Sequence, residues 1–350
     1  MPSLTRDTIL AHLRETDPDR ITRLREEADR VRRETVGDEV HLRGLLEISN
    51  HCVRGCTYCG IRHDHESVTR YRMSADEILA CARRAHQLGY GTVVMQAGED
   101  YGIGRQWMAE VIRAIKDQTG RAVTLSLGER PEEDLVAWRR AGADRYLLRF
   151  ETSDRNLYKQ IHPDRGSIVS DRLSILENLR NIGYEIGTGV MIGIPGQSWE
   201  TLADDIYLFG RMDIDMIGVG PYIAHPDTPL ARQAREMMLD APRQVPADRQ
   251  TTLKVVALTR LVCPEANIPA TTALSTLSDR GRESGLACGA NVIMPNLTPM
   301  DYRRLYEIYP AKSCLAEDPQ TFHDELLRRL AAIGRRPGIG PGHRKGRGRG

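Results

Sequence analysis

No apolar run in this 350-residue chain approaches 18 residues, which removes a membrane-spanning helix. The stretch 1–33 is dense in Arg, Asp and Glu and lacks the apolar core of a secretory signal. An excess of one charge is also missing. Lys plus Arg is 49 against 48 for Asp plus Glu, and a net charge of +1 gives no support to a nucleic-acid coat protein. The seven cysteines make no disulfide framework: an odd count without a signal points to a reducing, cytoplasmic compartment. What remains is 40% hydrophobic and 28% charged, the composition of a globular chain that buries a large core without staples.

The hydrophobic pattern alternates between two periods. Two helices are expected to open the chain, over 4–15 and 18–35. Short apolar or β-branched runs then read as strands at 41–48, 91–96, 122–127, 145–150, 185–192, 216–219, 267–272 and 290–294. Segments of helical period lie between most of them, at 75–88, 107–118, 131–141, 170–182, 200–211 and 247–262. Eight strand–helix units in one chain of this length predict a closed (β/α)8 TIM-type barrel over 39–333, with a helical segment 1–38 before it. Residues 334–350 carry Arg335, Arg336, Arg344, Lys345, Arg347 and Arg349 and no acid. With so few apolar groups this stretch reads as a flexible basic tail, a solubilising end or a docking arm for an acidic partner.

Three of the cysteines fall together, Cys52, Cys56 and Cys59, in a C-x3-C-x2-C spacing with Tyr58 before the last. Thiolates this close converge on one metal centre, and soft ligands select zinc or an iron–sulfur cluster. Zinc wants a fourth ligand, for which His51 and His63 are near. A 4Fe-4S cluster on three thiolates leaves one iron open for a ligand. The triplet follows the first strand, which in a barrel is the catalytic face. Tyr58 is placed to shield the cluster or touch a bound cofactor. On the fourth strand Arg145, Leu147, Arg149 and Glu151 share one side. Arg149 and Glu151 lie at its C-terminal end, either as ligand contacts or as a structural ion pair. Cys81, Cys263 and Cys288 read as small buried hydrophobes, and Met95, Met191, Met216 and Met294 mostly as core.

The triplet with its aromatic, in the first loop of a barrel, resembles the radical S-adenosylmethionine (SAM) enzymes. The resemblance implies that the open iron chelates S-adenosyl-L-methionine and that an electron from the cluster cleaves it to a 5′-deoxyadenosyl radical. Gln96, Gly98 and Glu99, at the end of the second strand, resemble the superfamily's glycine–glutamate motif beside the cofactor's amino group. The loop 193–197 resembles one that brackets the adenine.

Within that superfamily the chain is similar to the HydE family of FeFe-hydrogenase maturases. The similarity is carried in order by 59–62, 71–73, 124–129, 141–149, 225–230, 267–273 and 288–296. It implies an organometallic substrate, an iron carbonyl–cyanide–cysteine synthon made by a tyrosine-cleaving radical enzyme. It also implies a GTPase scaffold that receives the product and a reduced ferredoxin or flavodoxin as electron donor. By the same likeness Thr124, Arg149, Glu151 and Arg172 line the cofactor or substrate cavity. Thr271, Thr272, Tyr306 and Tyr309 line a deeper part towards the barrel bottom, the two tyrosines on one face of a helix. Some members hold a second cluster near the C-terminus; here Cys314 stands alone, with Phe322 and Glu325 where other cysteines fall, so no second cluster is expected. Phe150 stands where the family often has His.

Competing readings are another barrel radical enzyme, a zinc-binding interaction protein and an electron carrier. A biotin synthase is disfavoured because no strand from 122 to 219 carries a cysteine for its second cluster. A methylornithine synthase lacks that obstacle and is separated only by the segment matches.

Overall fold

The computed structural model describes residues 4–166, 169–310 and 318–346. Cys314 lies outside the described residues. The chain opens with α1 (Arg6–Arg14) and α2 (Pro18–Val36), then enters β1 (Glu39–Ser49). From there strand and helix alternate: α3 (Ala75–Gln87), β2 (Thr92–Ala97), α4 (Arg105–Thr119), β3 (Ala122–Ser126), α5 (Glu132–Arg140) and β4 (Arg145–Leu147). Next come α6 (Arg155–Ile161), α7 (Arg172–Ile182), β5 (Glu185–Ile192), α8 (Trp199–Arg211) and β6 (Met216–Pro221). The last part holds α9 (Pro229–Met237), α10 (Arg249–Val262), α11 (Thr272–Leu277), α12 (Gly281–Leu286), β7 (Val292–Ile293), α13 (Met300–Arg303), α14 (Pro319–Ala332) and β8 (Arg336–Pro337).

All paired strands run parallel, in the order β6-β5-β4-β3-β2-β1-β7. Between β6 and β7 the ring is carried by single bridges: Met216 to Asn267 and Pro269 to Val292. Residues 267–269 therefore occupy the seventh strand position, though Pro269 has no N–H to extend a ladder. Helices cover the outside, so strands are buried on both faces and read as near-continuous apolar runs; β1 is buried from Leu42 to Ser49. The caps are encoded locally. Ser74 accepts from Glu77 N while Glu77 Oε2 accepts from Ser74 N, a reciprocal cap that starts α3 after the long loop from β1. The two opening helices lean on the barrel's own helices: Arg6 pairs with Asp204 of α8, and Lys254 of α10 donates to Leu13 O. No helix among the described residues is long and apolar enough to cross a membrane.

The C-terminal stretch departs from the expected flexible tail. Through Gly346 it is seated across the floor of the barrel. Arg336–Pro337 pairs with Glu39 and Val40 at the start of β1. Pro341 O accepts from Thr92 Oγ1 (3.0 Å) and Arg145 Nη2 (2.8 Å), and Gly342 O accepts from Arg43 Nη2 (3.0 Å) and Asn267 Nδ2 (3.1 Å). His343 meets Glu185 at 2.7 Å, and Arg344 pairs with Asp213 and Asp215. A Cβ on Gly91 would stand 1.7 Å from Gly340 O, so the tail needs glycine there. Composition measures what a segment buries by itself. This one is held by polar groups at the N-terminal ends of strands that the barrel supplies.

Burial alone would raise Glu185; the hydrogen bond with His343 and the charge of Arg145 outweigh it and hold the carboxyl at about 2. A carboxyl depressed on folding stabilises the folded form above its unfolded value near 4.5, and that contribution fades as pH falls towards 2. The tail is therefore expected to loosen in that acid window, and in Glu185→Gln already at neutral pH. Hydrogen exchange over 339–346 reads this directly; equal protection in wild type and Glu185→Gln would contradict it.

Candidate active site

The cysteine loop leaves β1 at Asn50 and is tied on every side. Asn50 Nδ2 donates to Thr69 O and Leu305 O, and its Oδ1 accepts from Tyr71 N (2.7 Å). His63 N donates to Arg54 O (2.7 Å), which closes the loop on itself. Arg70 donates to the carbonyls of Asn50, Ile61 and Arg62. Thr57 N donates to Ile161 O, and Leu230 N to Thr57 O, joining the loop to α6 and α9. Gly98 is required by this packing: a Cβ there would lie 2.3 Å from His51 O and 2.8 Å from Cys52 Cβ. The close approach that needs a glycine at 98 is to the cysteine loop.

Cys52, Cys56 and Cys59 open together into a cavity of about 360 Å³ that runs down the barrel from the C-terminal ends of the strands. That volume suits a small-molecule ligand. A larger groove of about 510 Å³ between α12 and α14 contains none of these cysteines. Burial pushes the Cys56 thiol well up and the Cys59 thiol to about 12; burial also raises Cys52, against hydrogen bonds from the N–H groups of Arg54 and Glu99. Such thiols are poor free nucleophiles. Among the described residues no three His, Cys, Asp or Glu side chains are arranged to hold a single metal ion. All three cysteines line the same cavity. Cys81, Cys263 and Cys288 are buried away from the cavity, as expected.

Tyr58, Gln96, Gly98, Glu99, Arg149, Glu151 and Arg172 all reach the cavity wall, as do Thr271, Thr272, Tyr306 and Tyr309. Tyr58 also packs against Leu157, Ile161 and Leu230 in a small apolar cluster. Arg149 Nη2 pairs with Glu151 Oε2 at 3.1 Å, yet Arg149 Nε has no hydrogen-bond partner. The structural pair and the ligand contact are thus compatible. Glu151 sits at φ 61°, a left-handed conformation that strains a residue with a Cβ.

Four expectations are corrected. Thr124 is fully buried one layer below the wall, with no partner for Oγ1; Ser126, two residues on and on the same strand face, lines the cavity in its place. Tyr306 and Tyr309 are not on a helix, because α13 ends at Arg303; they come from the loop after it, and Tyr306 OH accepts from Gln96 Nε2 (3.3 Å). Nor do the threonines and tyrosines lie towards the bottom: Thr271 caps α11, beyond the C-terminal end of the seventh strand position. The loop 193–197 folds on itself, with Gln197 bonded to Gly193 N and Met191 O, and stays out of the cavity. Phe150 packs on Phe209 of α8 at 5.7 Å, so the departure from histidine falls outside the cavity.

Sequence reasoning missed the groups that join these residues. Arg54 Nε donates to Glu99 Oε1 (2.8 Å) and its Nη2 to Glu129 Oε2 (2.6 Å). Glu129 Oε1 also accepts from Arg172 Nε (3.0 Å), and Arg172 Nη1 donates to Arg149 O. His162 Nε2 accepts from Arg172 (2.6 Å), because burial and the Arg172 and Arg54 charges hold this imidazole neutral, near 2. Arg54 was visible as a charge inside the thiol motif; Glu129 and His162 carry no local signal. Met191, Met216 and Met294 line the cavity as well, and only Met95 is plain core.

The residues fit the cofactors that the resemblance implies. One wall offers three thiols. Beside it stand the Arg149–Glu151 ion pair and two donors without partners, Arg149 Nε and Arg54 Nη1, charges of both signs that complement an amino-acid moiety. Gly98→Ala is expected to displace the loop and abolish iron uptake on anaerobic reconstitution while the barrel keeps its circular dichroism. Full iron and sulfide content in that variant would refute the packing argument.

Residues 46–208 match the radical SAM superfamily. The chain is 46% identical over 318 residues to the FeFe hydrogenase maturase subunit HydE of Thermotoga maritima, covering 91% of this chain and 87% of that one. In three dimensions it superposes on methylornithine synthase (PylB) with a TM-score of 0.81 at 24% identity, over 96% of this chain and 94% of that one. HydG, a maturase of the FeFe-hydrogenase, gives 0.80 at 20% identity, over 96% and 73%. The last two likenesses describe the barrel and nothing finer. With that degree of identity along nearly its whole length, this chain belongs to the HydE family of radical SAM enzymes, whose cofactors are a 4Fe-4S cluster and S-adenosyl-L-methionine.

Proposed function

We propose that this enzyme is a maturase of the FeFe-hydrogenase active-site cluster, acting in the reducing cytoplasm on a small iron carbonyl–cyanide–cysteine synthon. The observation that carries the reading is a single chamber with thiols at its mouth, hydroxyls and thioethers on its walls and a closed floor. In this reading Cys52, Cys56 and Cys59 hold the cluster. Tyr58, Gln96, Gly98, Glu99, Arg149, Glu151 and Arg172 surround S-adenosyl-L-methionine. When bound, the pair supplies an electron and a carbon-centred radical.

The chain's own residues do the rest. Arg149 and Glu151 face a zwitterion as a charged pair with Arg149 Nε left to donate, and Arg172 fixes the carbonyl of Arg149 (2.6 Å). Thr271, Thr272, Tyr306 and Tyr309 orient a polar substrate, while Met191, Met216 and Met294 keep its other side apolar and soft. The tail shuts the far end, which excludes water from a reactive species. A reduced ferredoxin or flavodoxin is the donor in this reading, a tyrosine-cleaving radical enzyme supplies the synthon and a GTPase scaffold takes the product.

The test is anaerobic. Reconstituted and reduced protein is given S-adenosyl-L-methionine, and 5′-deoxyadenosine is assayed with and without the synthon. Stimulation of about tenfold or more is expected, with Cys56→Ser inactive. Cleavage that the synthon does not stimulate would retain the radical enzyme and remove this substrate.

A further inference from the structure

Five segments meet beside the thiols, and one chain of charges ties four of them together. Arg54 belongs to the cysteine loop, Glu99 to the loop after β2, Glu129 to the loop after β3, and Arg172 to the first turn of α7. His162, at the C-cap of α6, adds the fifth. Arg54, Glu99 and Glu129 are buried, and Arg172 is nearly so. Two guanidinium groups face two carboxylates, so the assembly is neutral as it stands. Its geometry is specific. Glu129 uses one oxygen for each arginine, and Arg54 uses Nε for one carboxylate and Nη2 for the other. Only a planar fork makes both contacts at once. Arg54 Nη1 has no partner, although the residue lines the cavity.

We infer that Arg54 and Glu129 form an electrostatic clamp that positions the cysteine loop against the SAM side of the cavity and sets the reduction potential of the cluster. The inference rests on the family's cofactors and not on the identity of the substrate. Both residues are positioning residues here. Glu129 acts through Arg172, whose Nη1 holds the Arg149 carbonyl. Arg54 acts through the loop whose N–H bonds the Cys52 sulfur (3.5 Å). A cluster's potential follows nearby charge and the hydrogen bonds to its sulfurs. Loss of the Arg54 charge leaves the wall net negative and disfavours an added electron. Loss of the Glu129 charge leaves it net positive and does the reverse.

The experiment uses full-length holoenzyme variants and reads three quantities: iron and sulfide per chain, midpoint potential by EPR-monitored titration, and Kd for S-adenosyl-L-methionine. Arg54→Gln is expected to load its cluster, titrate at a more negative potential and bind S-adenosyl-L-methionine about tenfold more weakly, because the loop is no longer held against that side of the cavity. Glu129→Gln is expected to move the potential the other way. Arg54→Lys restores the charge and with it the potential, but not the Kd, because a single ammonium cannot bridge both carboxylates as the fork does. Loaded variants with unchanged potentials, or with shifts of the same sign, would overturn the clamp. Should Arg54→Gln fail to take up iron, Glu129→Gln and Arg54→Lys carry the same decision. Wild-type protein that takes up no iron would be a separate failure, that of the cofactor assignment.

Discussion

A guanidinium group donates up to five hydrogen bonds in one plane and does not lose its charge, so burying one fixes every acceptor around it. This barrel depends on that constraint at both ends. At the mouth Arg54, Arg70 and Arg172 pin a loop that makes almost no regular backbone ladder. At the floor Arg43 and Arg145 hold the carbonyls of Pro341 and Gly342, and Arg344 reaches Asp213 and Asp215. Breaking one partner of such a buried set costs about 3–5 kcal/mol, comparable with the whole stability margin of many domains. The aliphatic barrel wall between the two ends needs no such device, because its strands are parallel and covered on both faces.

The two arginine sets do different work. Those at the floor close a route for solvent. The floor groups meet backbone carbonyls and carboxylates at strand starts, although Arg43 Nε and Arg344 Nε are left without partners there. At the mouth Arg54 Nη1 and Arg149 Nε also end without partners, and there both residues line the same cavity as the thiols. Unspent buried donors are unfavourable in a folded chain unless something else uses them. At the mouth they belong to residues that line the cavity, where a ligand can use them.

Legibility of the fold followed the range of the interaction that set it. All eight strand positions were visible because apolar runs bounded by turns are local, and even 267–269, reduced to bridges, carried the pattern. The cysteine triplet was visible for the same reason. Contacts set by distant partners were not. The tail has no apolar pattern, and its anchors at Thr92, Arg145, Glu185, Asp215 and Asn267 lie far away in sequence. Thr124 and Ser126 share a strand face, and strand alternation alone does not say which layer of that face reaches the cavity. The three-residue spacing of Tyr306 and Tyr309 suggested a helix face, but α13 stops at Arg303 and both tyrosines still reach the cavity from a loop. Glu129 was present in a matched segment with nothing local to mark it as the partner of Arg54.

A glutamate at φ 61° is held there against a local preference of about 1–3 kcal/mol. The neighbouring backbone supplies the restraint: Glu151 N donates to Gly189 O (3.1 Å) and Met191 N donates to Glu151 O (3.1 Å). The strand thus continues past its regular end with one residue turned. The turn sets the Glu151 carboxylate beside Arg149 on the cavity wall, where a glycine would adopt the same backbone without strain but supply no charge. The strain is tolerated because the side chain, and not the bend alone, is what the site requires.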